Sequence, residues 1–383
     1  MAKKFRLAYT AAAVIPLSVL AAACGSNGNS PSSSGSSTPA ASSAKMVGAA
    51  LPSAPNSAAA SVTETGSTLL YPLVSAWAAD YQKQFTKVTI TTGATGSGTG
   101  ITDASTGTVN IGASDAYLSA SERAANPTLL NIPLAISAQQ VNYNVPGLKT
   151  GLKLDGKILA QIYSGKITKW NDSQIAALNP GVSLPGTTIV PLRRVDSSGD
   201  TFLFTSYLNA QDPSVWTSSD VGTSVSWPSV SGELAEQGNG GMVTGCSTTK
   251  GCIAYIGVSY ETQTNADHLG QALLQNAAGN FVAPTASTIV AAASGMTSKT
   301  PPDETLSMIN SPGAQSYPII NYEYAIVNTK QSDGVTAEDI RAFLVWDLTT
   351  GQSASKYLDA VNFQPLPAAV VTLSENQIKK IGA

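Results

Sequence analysis

The sequence predicts an α/β fold. Three observations carry that reading. From about Ser61 onward, short apolar strand-like runs alternate with segments whose apolar residues recur at helical spacing. No internal repeat is present, which speaks against a solenoid or a propeller. The chain has 383 residues, of which 43% are apolar, enough for a sizeable core and for two domains of ordinary size.

Residues 1–23 precede the fold. Lys3, Lys4 and Arg6 make a positive start, Leu7 to Leu20 is a short apolar run, and Ala21, Ala22 and Ala23 lead to Cys24. This reads as a secretory signal ending in a lipobox-like site, with lipid on Cys24. Ala21 stands where Leu is commoner, so ordinary cleavage after an A-x-A site is the alternative. From Gly25 to about Ala60 the chain is dominated by Ser, Ala, Pro, Gly and Asn, with Lys45 its only charge. That composition predicts a flexible tether over residues 24–60.

The body follows element by element. Leu69 to Phe85 carries Leu70, Val74, Trp77, Ala78 and Tyr81 at helical spacing, and Val88 to Thr92 reads as a strand before a Gly-rich turn. Asn110 to Ser114 is a short apolar strand. Gly156 to Tyr163 and Asn171 to Leu178 read as helices, with Asp172 or Ser173 near the start of the second. Thr188 to Arg193 is a strand, then a turn, then a helix from Thr201 to Leu208. Ile253 to Val258 and Ile319 to Val327 are strands, and Ala337 to Thr349 is an amphipathic helix.

Charge and composition exclude several functions. Charged residues are 12% of the chain, about half the usual ~25%. There are 24 acidic and 21 basic residues, so a counterion-displacing nucleic-acid binder is not expected. Loss of Lys3, Lys4 and Arg6 with the signal leaves 18 basic residues and a charge of −6. With Cys24 assigned to lipid and Cys246 and Cys252 to a bridge, the single histidine is left without partners for the usual zinc sets, so no metal or cofactor is expected. A Ser-His-Asp hydrolase would have only His268 as its base. In NADHLGQALL that residue reads as a surface or helix-flanking one. Cys246 and Cys252, in TGCSTTKGCIAY, read as a disulfide in an oxidising compartment, contributing about 2 kcal/mol by closing a short loop. A metal site is the weaker alternative there.

Four polar turns lie where strands meet helices, and helix starts offer unpaired amides to anions. In TETGSTLLYP, Gly66-Ser67-Thr68 precedes an apolar helix and reads as an anion site or a plain N-cap. In TGATGSGTGIT, four glycines allow close backbone approach to a ligand or make a flexible turn, and no lysine follows as a phosphate-binding Walker loop would require. In NIGASDAYLS, Asp115 follows a buried-looking strand at its carboxyl end, where ligands bind in open α/β sheets, or caps a helix. In IVPLRRVDSSGDTFLFTSYL, two of the chain's five arginines adjoin, and strand alternation lets only one face a given pocket. A guanidinium fork there matches two oxygens of a tetrahedral anion, with Asp196 placed to hold it, or the segment is a surface ion pair.

Taken together these segments resemble the phosphate-binding proteins of bacterial Pst-type ABC importers. TGSTLLYP, GSGTG, GASDAYLS, LDGKILAQIYSGKITKWND, RRVDSSGDTFLFTSYL and GNGGMV occur in that family's order over roughly residues 62–383. GMVTGC…GC, SGDTFLF and YPIINYEYAIVN are most similar to mycobacterial phosphate-binding lipoproteins. The resemblance implies a two-lobed periplasmic-binding-protein fold of mixed α/β lobes with ligand in the cleft. Lobe I would take residues 61–144 and 319–383, and lobe II residues 145–318. Val141 to Val145 and Ile319 to Tyr324 would be the crossovers. It implies phosphate contacts at Ser67, Thr68, Leu69 (through its amide), Ser97, Asp115, Arg194, Ser198, Gly199 (amide) and Asp200, with Asp196 paired to Arg194. Many relatives have Thr where Asp200 stands. It also implies a receptor without catalytic residues, held by lipid at the outer face of the cytoplasmic membrane and docking on a membrane permease. An envelope phosphatase or an adhesin is the alternative function.

A carboxylate beside phosphate is explained by protonation. Phosphate keeps a proton near neutral pH, and an ionised Asp115 can accept it. Sulfate offers none and would leave Asp115 unpaired in a dry cleft, at a cost of several kcal/mol. Asp200 is either a second proton acceptor, the favoured reading, or an acid that complements its own helix start.

Overall fold

The structure, a computed structural model, describes residues 51–56, 58–148 and 150–383. The signal segment, Cys24 and most of the expected tether lie outside the described residues. Asn56, inside the segment expected as tether, is pinned to the body. Its amide donates to Asp339 (2.6 Å) and its side chain to Glu338 (2.7 Å).

Strand β1 (Ala60–Gly66) leads through a tight turn into helix α1 (Tyr71–Gln84). Pro72 suits the first helical turn, where no intrahelical amide bond is lost. Leu73, Val74, Trp77, Ala78 and Tyr81 form its buried face. Strand β2 (Val88–Thr91) follows, then helix α2 (Ser97–Thr106), strand β3 (Ile111–Ser114) and helix α3 (Ala120–Ala125). The Gly-rich segment read as a turn is thus largely a helix. Its poor intrinsic propensity is overridden by packing of α2 against β1 and β3.

Strand β4 (Leu129–Asn144) is sixteen residues long and buried along almost its whole length. After it come β5 (Lys153–Leu154), α4 (Gly156–Tyr163), α5 (Ser173–Leu178), β6 (Val190–Arg194) and α6 (Gly199–Gln211). Asp155 and Asp172 cap α4 and α5, each accepting an amide two or three residues ahead (2.7 and 2.9 Å). Strand β7 (Leu234–Glu236) and helix α7 (Gly238–Thr248) precede β8 (Cys252–Gly257). A Cys246–Cys252 disulfide ties α7 to β8. Helix α8 (Glu261–Ala266), β9 (Gly270–Gln271), β10 (Leu273–Gln275), β11 (Phe281–Val282) and α9 (Ala286–Ser294) complete this part. His268 is exposed just beyond α8, in the left-handed region. The chain ends with β12 (Ile320–Asn328), α10 (Gly334–Leu348) and α11 (Ala368–Ile378).

The main sheet runs β2-β1-β3-β12-β4-β8-β6-β7, with β9 also on β4, and β11-β10-β5 form a small second sheet. The fold is two-lobed, and β4 joins the lobes. Its residues Leu129 to Ala138 pair antiparallel with β12, and Gln139 to Asn144 pair antiparallel with β8. On one side β1 runs parallel to β2 and β3, and on the other β6 runs parallel to β7 and β8. The carboxyl ends of β1, β3 and β6 therefore deliver Ser67, Asp115 and the Arg194 segment to one region. Among the described residues no helix is long and apolar enough to cross a membrane.

Candidate functional site

Ser67 and Thr68 leave β1 in the turn that opens α1. The Ser67 hydroxyl accepts the Leu70 amide (2.9 Å) and donates to Asp115 Oδ1. Thr68 is buried, and Leu69 is fully so. The amides of Thr68 and Leu69 have no acceptor among the described residues. Ser97 opens α2, and its buried hydroxyl accepts the Asp115 amide (3.2 Å).

Across the cleft, Arg194 ends β6 with its side chain only 1% exposed. Arg193, its neighbour, turns the other way, is 29% exposed and faces Glu233. Strand alternation thus selects Arg194, as expected. Its guanidinium donates from Nε to Asp196 Oδ1 (2.8 Å), from Nη2 to Asp196 Oδ2, and from Nη1 to Asp200 Oδ2 (2.8 Å). Burial works against the guanidinium charge, but Asp196 and Asp200 override it and hold Arg194 above its ordinary value. Burial would likewise raise Asp196, yet Arg194 and the Gly238 amide keep its carboxylate below the usual range.

Ser198 caps α6 by accepting the Thr201 amide, and its own amide donates to Thr223 (2.8 Å). Gly199 and Asp200 then present the free amides of a helix start. Gly199 lies against the opposite side. A Cβ there would sit 2.5 Å from Asp115 Oδ2 and 2.6 Å from Ser97 Oγ, so only glycine allows this approach.

Every sequence-predicted contact in the described residues falls into this one region, and sequence reasoning missed three further members. Asn239, at the start of α7, is fully buried. Its Nδ2 donates to Thr68 Oγ1 (2.9 Å) and Asp200 Oδ2 (2.7 Å), while its Oδ1 accepts the Gly257 amide (2.8 Å). Gln139 on β4 donates to Asp200 at its carbonyl (2.8 Å) and at Oδ1 (3.1 Å). Both Asp200 oxygens are therefore engaged by protein donors. Oδ2 accepts both Arg194 and Asn239, whereas Oδ1 accepts only Gln139 and keeps a lone pair for one more donor. Glu323 on β12 is the third, fully buried beside Asp115. The available signals were the GNGGMV stretch for Asn239 and a lone charge inside the apolar run INYEYAIV for Glu323.

Burial and the nearby Asp200 charge push Asp115 up to about 7, while Glu323, Ser67 and Arg194 act to lower it. Chemically, the region offers amides, hydroxyls, one ion-paired guanidinium and an acid poised near neutrality. Among the described residues no cluster of three His, Cys, Asp or Glu could hold a metal ion.

Known proteins resemble this chain in sequence and in fold. The family model for the PBP superfamily domain matches residues 51–348. The phosphate-binding protein PstS of Xylella fastidiosa is 33% identical over 84% of this chain and 85% of its own length. The PstS of Haemophilus influenzae is 34% identical over 85% of this chain and 94% of its own. The phosphate-binding protein PstS3 of Mycobacterium bovis is also 34% identical, but over 68% of this chain and 71% of its own. The expected special likeness to mycobacterial members therefore does not stand out in identity or coverage. Among solved structures, the phosphate-binding protein of Stenotrophomonas maltophilia shares the fold, at 22% identity and TM-score 0.59, over 82% of this chain and 93% of that one. An ancestral soluble variant of the human phosphate-binding protein does so at 21% identity and TM-score 0.62, over 82% and 92%.

Proposed function

The chain belongs to the PstS family of phosphate-binding proteins within the PBP superfamily, and on that premise we propose that it binds inorganic phosphate and delivers it to the permease of a Pst-type ABC importer. It acts as a receptor and performs no chemistry on its ligand. One observation carries the reading to this site: Ser67, Ser97 and the helix start at Gly199 meet at the buried Asp115, while Asn239 ties Thr68 to Asp200 and so to Arg194.

In this reading lobe I comprises residues 61–138 and 319–383 and lobe II residues 139–318, the boundary lying earlier than the expected residue 144 because Gln139 to Asn144 pair with β8, and the cleft closes on phosphate. Lipid on Cys24 and the tether after it hold the receptor at the outer face of the cytoplasmic membrane, within reach of the permease. Two or three acyl chains, at ~0.8 kcal/mol per buried methylene, make a stable anchor. Asp115 accepts the phosphate proton, and sulfate is refused because it has none to give.

Calorimetric titration with phosphate, arsenate and sulfate at two pH values tests this. Phosphate and arsenate bind and sulfate does not. Sulfate binding as tight as phosphate, or no phosphate binding, removes the proposal. In Asp115→Asn the fold persists but the preference for phosphate over sulfate falls by roughly 100-fold, the scale of one relieved buried charge. A variant that still refuses sulfate as wild type does would show that Asp115 is not the discriminator.

A further inference from the structure

Among the described residues, Glu323 is the one buried acid that touches the site without a part in the reading above. Register brings it there. Tyr324 of β12 pairs with Ser114 of β3, and the next residues along the two antiparallel strands are Glu323 and Asp115. The two carboxyls are close enough that each acts on the other's proton affinity. Glu323 Oε1 already accepts Asn321 Nδ2 (2.9 Å) and the Ser137 hydroxyl. Its Oε2 is buried and has no donor among the described residues. The same Asn321 amide group also donates to the Asp115 carbonyl (3.1 Å), which fixes the two residues relative to each other.

Two carboxylates cannot face each other in a dry interior, so one proton lies between them. The surroundings decide where. Asp115 has stabilisers for its charge, namely the Ser67 hydroxyl from the β1–α1 turn and the Arg194 guanidinium from β6. Asp200 from α6 opposes it. Glu323 has only the neutral donors Ser137, from β4, and Asn321, from its own strand. Burial, then the Asp115 charge, raises Glu323 well above the usual carboxylate range.

We infer that Glu323 is held as a neutral acid whose hydroxyl donates to Asp115, making it a positioning residue that keeps Asp115 ionised and ready to accept a ligand proton. Asp115 Oδ1 takes Ser67, and Oδ2 lies on the Gly199 side, facing the opposite half of the cleft. The placement of the proton stands by itself. Its consequence for selectivity rests on the phosphate reading.

Two measurements on the full chain separate these. The first is a carbon-13 NMR titration of Glu side-chain carboxyls without ligand, assigned by the signal lost in Glu323→Gln. That signal stays in its protonated position at pH 7. In Asp115→Asn it titrates about one pH unit lower or more, because the neighbouring charge is gone. A Glu323 signal already ionised at pH 7 overturns the proposal, whether or not phosphate binds.

The second is phosphate affinity against pH. Glu323→Gln keeps a neutral donor to Asp115 and stays within about threefold of wild type at pH 7, but lacks the alkaline loss that follows when Glu323 ionises. Glu323→Leu removes the donor and binds about tenfold more weakly or worse, most of all at low pH, where Asp115 now protonates. A Leu variant with the wild-type pH profile overturns the positioning role. A protonated Glu323 in a protein that ignores phosphate would sink the phosphate reading and leave the proton placement standing.

Discussion

At Arg194 one guanidinium serves two carboxylates, Asp196 and Asp200, with Asp115 close enough for its charge to be felt. An anion entering this region meets more negative than positive charge, so binding is aided by protonation of an acid. Asp200 is the acid best placed. Burial raises it and Asp196 adds to that, while Arg194, Gln139 and Asn239 pull it down; the net direction is upward. A raised acid is neutralised earlier as pH falls, so phosphate affinity strengthens toward acid and weakens toward pH 8. Asp200→Asn keeps an oxygen for Arg194 and the helix-start amide but removes the charge. The expected outcome is a wild-type affinity about tenfold weaker at pH 8 than at pH 5.5, and a clearly shallower dependence in the variant. Calorimetric titration at the two pH values checks this; equal slopes in both proteins would assign the dependence to phosphate itself.

Pairs of elements carry the next level. Strand β1 and helix α10 bring Glu64 and Asp347 to a cavity of about 10 Å³ among Leu70, Val74, Phe343 and Leu344. Burial pushes Glu64 up to about 8, against a smaller lowering by the Gly93 backbone. Its folded value lies above the ordinary 4.5, so stability falls as pH rises from about 4.5 to 8 and is flat beyond. Glu64→Gln removes that loss. Thermal unfolding at pH 5 and pH 8 should show the wild type losing a few kcal/mol that the variant keeps, and parallel losses would exclude Glu64 as the cause. How much of these elements was legible in the sequence follows from their patterning. Helix α4 (Gly156–Tyr163) could be read residue for residue because its apolar spacing and Asp155 cap agree. Strand β4 could not, because it is buried on both faces and carries Asn131, Ser137, Gln139, Gln140 and Asn142, so no alternation marks it. Helix α7 was hidden by its glycines. Site residues on polar turns at strand ends, such as Ser67, Asp115 and Arg194, stood out locally. Asn239 acquires its meaning only from Thr68, 171 residues away, and Gln139 from Asp200, 61 residues away.

Over the whole molecule, the proposed closure would bring into play a few direct contacts between the two sides of the site. The Gly98 amide donates to the Ser197 carbonyl (3.0 Å), Asn239 reaches Thr68, and Ser259 Oγ donates to the Leu69 carbonyl (2.8 Å). Tyr117 and Phe202 meet edge to face at 5.3 Å. Gly98 lies in the first turn of α2 with an ordinary negative-φ backbone. Within its own helix, alanine there is the better residue by roughly 0.5–1 kcal/mol. Across the cleft it is not, since the added Cβ would fall 1.9 Å from Ser197 Oγ and 2.5 Å from Ser197 Cβ. The Cβ of Ser197 cannot swing away, so one side must retreat. Gly98→Ala should therefore act with opposite signs on folding and on closure. The ligand-free variant unfolds at the wild-type temperature or above it, yet binds phosphate about tenfold more weakly or worse, because overpacking of 1–3 kcal/mol falls on the closed form alone. Small-angle scattering with saturating phosphate should find the variant more extended than the wild type. Equal affinity and equal compaction would mean that the contact between Gly98 and Ser197 is not part of the liganded state, and that the sides of the cleft meet elsewhere when phosphate is bound.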